Sequence, residues 1–382
     1  LNILPIHPRP RHDELLSSWI TRLAIENGFY PYSFFTKVVG LKGELIVKDV
    51  DRGNFTGFIE RLSQVSGVST EELSNLCISS LQGEVFSHES LVACVRWVLP
   101  LGCHKKIKRS KGIVYCPLCL KEDEVRYFRK SWRLAFMTLC EKHGCILWDH
   151  CSYCKASINY QRVGIRTGEY EIPIKDLGIC FNCRKPLWEA PVKTLPLNLE
   201  RFSSPYRNFL SAYASGNPVV PELNQPLNIQ VLNGLWLLSG RFAGERAIEV
   251  RERILKETGI EISPLKQNCS FEAFPFRQRL NILIAVLYYL QDWPNKFLDL
   301  VKNTTFTVSS FNKGTGEMPF WLRTVVYEHL NAKPRAMSDE EIMTGVKYLQ
   351  KKSPSFSMSE LARLLGVDVG VVILRLKNIK RK

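Results

Sequence analysis

The stretch from Tyr115 to Gly144 reads YCPLCLKEDEVRYFRKSWRLAFMTLCEKHG. It opens with a Cys-x-x-Cys and closes with a Cys-x-x-His, and the span between them is basic and aromatic. Such a pair serves a redox site, a disulfide staple or a metal knuckle, and the residues downstream decide among the three. Cys116 and Cys119 are followed after 20 residues by Cys140 and His143, and Cys151 and Cys154 after 25 residues by Cys180 and Cys183. Each gap is long enough to bring the second pair back to the first. Zinc takes four soft ligands at tetrahedral corners, and a Cys-x-x-Cys turn supplies two of them. Two complete quartets within 68 residues predict two structural Zn2+ ions. A redox pair needs a low-pKa thiol at a helix start in a βαβ context, which this region lacks. A catalytic zinc keeps one corner open to water, and these quartets leave none. Metal binding then supplies on the order of 10 kcal/mol of folding energy per site.

The remaining thiols divide by surroundings. Cys145 and His150 lie near enough in sequence to substitute as ligands. Cys77, Cys94 and Cys269 sit in apolar surroundings and are expected to be core thiols. Cys103 and His104 form a pair without a matching second pair. Between the first two knuckles, Tyr127, Phe128, Trp132, Leu134 and Phe136 are expected to pack around the metal, with Arg126, Arg129, Lys130 and Arg133 alternating among them.

The charge balance points to a polyanionic partner. The 382 residues carry 52 Lys and Arg against 37 Asp and Glu, a net charge of +15. Lys105, Lys106, Lys108, Arg109, Arg129 and Lys130 are candidate nucleic-acid contacts near the first knuckles, and Arg375, Lys377, Lys380 and Arg381 are candidates at the other end. The N-terminal LNILPIHPRP has no apolar signal core, and the most apolar run, Leu280–Leu290, is too short for a bilayer span of about 20 residues. A cytoplasmic protein with no membrane partner is expected. There, twelve cysteines serve as ligands or buried thiols rather than disulfides.

Outside the cysteine-rich stretch the pattern is helical. Leu15, Leu16, Trp19, Ile20 and Leu23 recur at helical spacing, with Asp13 as an expected cap and Gly28 as the stop. Phe58, Ile59, Leu62 and Val65 form a stripe that turns at Gly67, and Ser69 or Thr70 caps the next helix. Helices are expected near 206–213, through VLNGLWLLSGRF, at 245–258, at 276–290 and from Phe320. At the end, SMSELARLLGVDVGVVILRLKNIKRK fits a helix-turn-helix, with Ser357 or Ser359 as cap and Gly366 in the turn. The second helix of that pair begins Asp368, Val369, Gly370, Val371, a poor set for base edges, so phosphate contact or protein docking fits it better. The chain is therefore expected to be mainly α and multidomain. The expected divisions are a helical domain at 1–100, a double zinc region at 101–195, a helical domain at 196–335 and a helix-turn-helix at 336–382. No phosphate-binding glycine loop, metalloprotease helix or nucleophile elbow is present in the sequence.

One combination is distinctive. Pro8–Gly28 (PRPRHDELLSSWITRLAIENG) is followed by Tyr115–Leu120 (YCPLCL), Trp132, Cys140–Gly144 (CEKHG) and Leu147–Cys154 (LWDHCSYC). This resembles the TniQ family, which includes the longer TnsD-type proteins, over roughly residues 1–190. The resemblance implies a non-catalytic selector of transposition targets. Such a selector links a target-recognising partner, either a crRNA-guided Cascade complex or an attachment-site DNA duplex, to the AAA+ regulator TnsC. It also implies TnsC contact near Trp19 and Arg22, and a TniQ homodimer as a further assembly.

Overall fold

The computed structural model describes residues 3–40, 49–53, 57–87, 95–101, 112–160, 176–216, 219–220, 223–264, 270–312, 318–330, 338–352, 355–367 and 369–379. Helices dominate. Among the described residues the one paired sheet is a two-stranded antiparallel clip, Val219–Val220 against Gln225–Pro226. The chain divides into two compact units. One is Leu1–Thr305 with Gly316–Phe320, and the other is Phe306–Thr315 with Trp321–Lys382.

The first unit is organised around the helix Leu16–Glu26. Its apolar stripe (Leu16, Trp19, Ile20, Leu23, Ala24) packs on Phe34, Phe58, Leu62 and Leu73. Its polar side is buried as well, at Ser17, Ser18, Thr21 and Arg22. A helix enclosed on both sides must bond its polar groups internally, because an unpaired buried polar group costs about 1–3 kcal/mol. Ser18 Oγ accepts the Phe128 N–H at 2.9 Å and donates to Glu14 at 2.8 Å. The expected Asp13 cap does not form. Leu15 occupies the cap position, and Asp13 instead accepts from the Tyr127 hydroxyl at 2.8 Å while its carbonyl takes the Lys130 N–H. Gly28 ends the helix in the left-handed conformation, φ 74°.

The helix pair Phe58–Ser66 and Thr70–Asn75 turns at Gly67, and Ser69 accepts the Glu72 N–H. The cysteine-rich stretch 112–160 closes over these helices, and its aromatic residues form the packing the sequence implies. Phe128, Trp132, Leu134 and Phe136 are fully buried. Arg133, Tyr160 and Tyr206 then tie this stretch to its surroundings. Arg133 is buried and bonds Asp49 at 2.6 Å, Asp51 at 3.0 Å and the Leu99 carbonyl at 2.9 Å. Tyr160 reaches Ser17 at 2.7 Å, and the Tyr206 hydroxyl meets Thr138 at 2.6 Å. Contacts between residues 13–22 and 127–133 cross the boundary expected at residue 100.

The helices Ser204–Ser215, Ile229–Phe242, Ile248–Thr258 and Phe276–Tyr289 follow close to the expected positions, and Asn295–Val301 comes after them in the first unit. Phe276–Tyr289 packs on Ser204–Ser215 and on Ile229–Phe242. Trp97 locks this layer to the cysteine-rich stretch. It is fully buried, stacks edge-on with Phe136 and Phe271, and donates its indole N–H to the Leu232 carbonyl at 3.1 Å.

In the second unit the helix Asp339–Lys352 packs against Met358–Leu365 and Val369–Ile379. Ser357 and Glu360 form a reciprocal capping box, and Gly366 takes φ 66° in the turn, as the sequence indicates. Leu361, Ala362 and Val372 are the buried centre of this small three-helix module.

Candidate metal centres

Four short turns carry the eight predicted ligands. The first turn is helical: Cys116 caps the helix Pro117–Glu122, and its Sγ accepts the Cys119 N–H at 3.4 Å. Pro117 fits there because the first helical position has no need of an N–H. The other three turns share a hairpin geometry. Cys140, Cys151 and Cys180 donate their N–H to the carbonyls of Cys145, Ala156 and Lys185 at 2.8, 2.9 and 2.9 Å. Their own carbonyls accept the N–H of Gly144, Lys155 and Arg184, at 2.8, 3.0 and 3.0 Å. Each of these last residues follows the second ligand and is left-handed, with φ 63°, 60° and 61°. At Gly144 an added Cβ would stand 2.8 Å from the end of the Arg207 side chain, which would have to shift, so the left-handed backbone is the main reason for glycine there.

The turns meet in two clusters, Cys116, Cys119, Cys140 and His143, and Cys151, Cys154, Cys180 and Cys183. The ligand atoms of each lie within 4.8 Å of one another. In the first, His143 Nδ1 stands 3.4, 3.3 and 3.5 Å from the sulfurs of Cys116, Cys119 and Cys140, and Cys119 and Cys140 are 3.6 Å apart. In the second, Cys151–Cys183 and Cys154–Cys180 are 3.6 and 3.7 Å apart. A tetrahedron with Zn–S near 2.3 Å has edges of roughly 3.8 Å, so both clusters have the dimensions of a four-coordinate soft-ligand site. Each can hold a metal ion.

A supporting residue that sequence reading missed is Glu122. Its carboxylate meets His143 Nε2 at 3.0 Å. That bond leaves Nδ1 facing the thiols, the arrangement by which a carboxylate fixes the tautomer of a ligating histidine. The signal was present but faint: Glu122 lies three residues past Cys119, one helical turn on. His150 does not join either cluster; it bonds Asp149 and packs edge-on against Trp148. Cys77 is the buried core thiol expected, pushed up to about 12 by burial.

The chain's residues 5–147 match the family model TniQ. This part of the chain is a TniQ domain. No curated protein matches the chain. The TniQ span contains the whole first quartet and stops before Cys151, so the second quartet lies just beyond it. The family serves transposition target selection and is an accessory family, generally without catalysis. No helix among the described residues is long and apolar enough to cross a membrane.

The other predicted site residues fall in several places. Trp19 and Arg22 lie inside the TniQ domain. Trp19 is fully buried with its indole N–H on the Pro8 carbonyl at 2.8 Å, and Arg22 forks onto Glu14 at 2.9 and 2.6 Å. Arg129 is enclosed by Asp123 at 2.8 Å and Asp13 at 3.5 Å and lies over the Tyr127 and Trp132 rings. Lys130 reaches the Asn75 carbonyl at 2.6 Å. Arg375 stands 3.8 Å from Asp339 within the second unit, and Lys377 is exposed. Lys105, Lys106, Lys108, Arg109, Lys380 and Arg381, with Cys94, Cys103, His104 and Cys269, lie outside the described residues.

The buried carboxyls around Arg133 titrate unusually. Desolvation raises Asp51 to about 6 despite the Arg133 charge beside it. Burial also pushes Asp49 upward, but Arg133 and Arg52 outweigh it and hold that carboxyl below its ordinary value. Asp49 meets both terminal nitrogens of Arg133, at 2.6 and 3.1 Å, and Asp51 meets one at 3.0 Å.

Proposed function

We propose that this chain is a non-catalytic target-selection adaptor of a DNA transposon. In this reading it couples a crRNA-guided Cascade complex to the TnsC regulator, which in turn brings the transposase to its site. The observation that carries the reading is a TniQ domain built around a closed cluster of three cysteines and a histidine, with a four-cysteine cluster following it. Both clusters are the size of structural Zn2+ sites, and all four corners of each are protein ligands, so neither offers a place for substrate. Zn2+ bound there would fix the turns and hold the stretch 112–160 against the central helix.

The C-terminal helix pair bears on how targets are found. A TnsD-like selector binds an attachment-site duplex through base contacts, which require polar side chains in the first turn of the recognition helix. That turn is Val369, Gly370 and Val371, and Ile373 and Leu374 further along are 39% and 63% exposed. This surface suits protein docking, with Arg375 and Lys377 available for phosphate contacts. It favours the guided adaptor over direct homing. With Trp19 and Arg22 buried, TnsC contact in this reading falls on the surface around the N-terminal helix rather than on those side chains.

The test is nuclease-treated co-purification of the chain with Cascade and TnsC, beside a salt-titrated duplex-binding assay. Association with the guide complex, and duplex binding that vanishes with salt, is the expected result. A salt-resistant preference for one duplex without Cascade association would instead establish the homing selector.

A further inference from the structure

We propose that Cys145 is a reserve ligand of the first metal site, able to take the corner held by His143. The proposal rests on the reading of that cluster as a metal site. Cys145 is 2% exposed, and its Sγ stands 3.5 Å from Cys116 Sγ. The Cys140 thiol is its second sulfur neighbour. Sulfurs sharing one zinc are separated by roughly 3.8 Å, so Cys145 stands at ligand spacing from a ligand. An ordinary core thiol in the same protein behaves differently: Cys77 points back to its own helix, 3.6 Å from the Leu73 carbonyl.

The backbone makes the two candidates unequal. Cys145 sits at the neck of its hairpin, where its carbonyl accepts the Cys140 N–H at 2.8 Å and the next residue, Ile146, pairs with Leu139. His143 sits on the tip, and the carboxylate that orients it, Glu122, is 48% exposed. Solvent and partners reach the histidine corner first. Were His143 to leave a bound metal, Cys145 would supply a thiolate in its place, its proton passing to solvent, and the ligand set would become four thiolates with no electron transferred. Among the described residues the second quartet has no such fifth thiol.

The experiment loads the chain with Co2+ and reads metal per chain, sulfur-to-cobalt charge-transfer intensity and release to a chelator. Wild type, with three thiolates in one cluster and four in the other, should show seven Co–S bonds. His143→Ala should keep two metals, and its intensity should rise by one Co–S bond. His143→Ala with Cys145→Ser should fall back to the wild-type intensity or below. Its first-site metal should leave on the order of tenfold faster than in His143→Ala, the scale of a lost supporting group. Cys145→Ser alone should keep two metals and the wild-type spectrum. The proposal is overturned if His143→Ala and the double variant match in intensity and release, if His143→Ala loses the first-site metal outright, or if Cys145→Ser alone loses it. Near-ultraviolet dichroism from the buried Trp19 and Trp132 reports folding in every variant. A wild type that binds fewer than two metals would instead refute the metal reading itself.

Discussion

The first quartet and the second use the same hairpin turn but in different company. Three of the first site's ligands are buried and the fourth is half-buried, while Cys154 and Cys183 of the second are both half-buried. The first site combines a helical turn with a hairpin and lies inside the TniQ span. Bonds within that span join residues 13–18 to 127–128 and Arg133 to Asp49 and Asp51. The second combines two hairpins and lies beyond that span. Both sites are tied to distant segments, the second through Asp176 on Arg126 at 2.6 Å and Tyr160 on Ser17 at 2.7 Å, but the first has the more buried ligands and is expected to carry the greater structural weight. The difference teaches that a shared two-residue spacing within ligand pairs does not imply equal structural weight.

The sharpest way to break this comparison is to remove one ligand from each. Cys116→Ser should forfeit metal energy on the order of 10 kcal/mol at a site the unit is built on, leaving insoluble or non-cooperatively unfolding protein. Cys180→Ser should lose one metal and order in its own turns, yet retain near-ultraviolet dichroism from the buried Trp19 and Trp132. Equal collapse in both variants would erase the proposed difference.

Next in size is the buried ion cluster. Arg133→Met leaves Asp49 and Asp51 buried without their cation and should cost about 3–5 kcal/mol in denaturant unfolding. Metal content at the second site should not change. A loss under about 1 kcal/mol would mean that water reaches these carboxylates and screens them.

Glu122→Gln should weaken metal at the first site by about tenfold and leave the second untouched, as measured by chelator competition. An equal effect at both sites would show that Glu122 acts through net charge and not through His143. The smallest effect concerns the left-handed residues. Lys155→Gly relieves a conformation that costs a non-glycine residue roughly 1 kcal/mol and should stabilise the second site by about that much. Gly144→Ala should destabilise the first, because alanine is strained at φ 63° and Arg207 must also shift its guanidinium. Thermal melts with metal saturated check both.

Much of this was legible in the sequence, and the exceptions have a common cause. Ligand spacing disclosed the quartets because each tight turn encodes its own geometry. The helices around Phe58, Phe276 and Ser357 were legible because periodicity and capping are local. The ion pairs of Arg129 and Arg133 were not legible because their acidic partners are distant or on another turn. Arg133 meets Asp49 and Asp51 from 84 and 82 residues away along the chain. TnsC contact near Trp19 and Arg22 came from the family resemblance; the structure places both side chains in the interior. The helix they occupy looks one-sided by hydrophobicity, but Ser17, Ser18 and Thr21 are small enough to be covered by the cysteine-rich stretch once their hydroxyls are bonded. Glu122 became meaningful only when His143 was brought within 3.0 Å of it.

The most direct measurement is the zinc content of the chain as purified and after graded chelation, read together with its tertiary dichroism. The account predicts two zinc ions per chain, with the more exposed second site emptied first and tertiary structure lost only as the first is emptied. A folded chain with no bound metal, or with dichroism unchanged after complete removal, would contradict it.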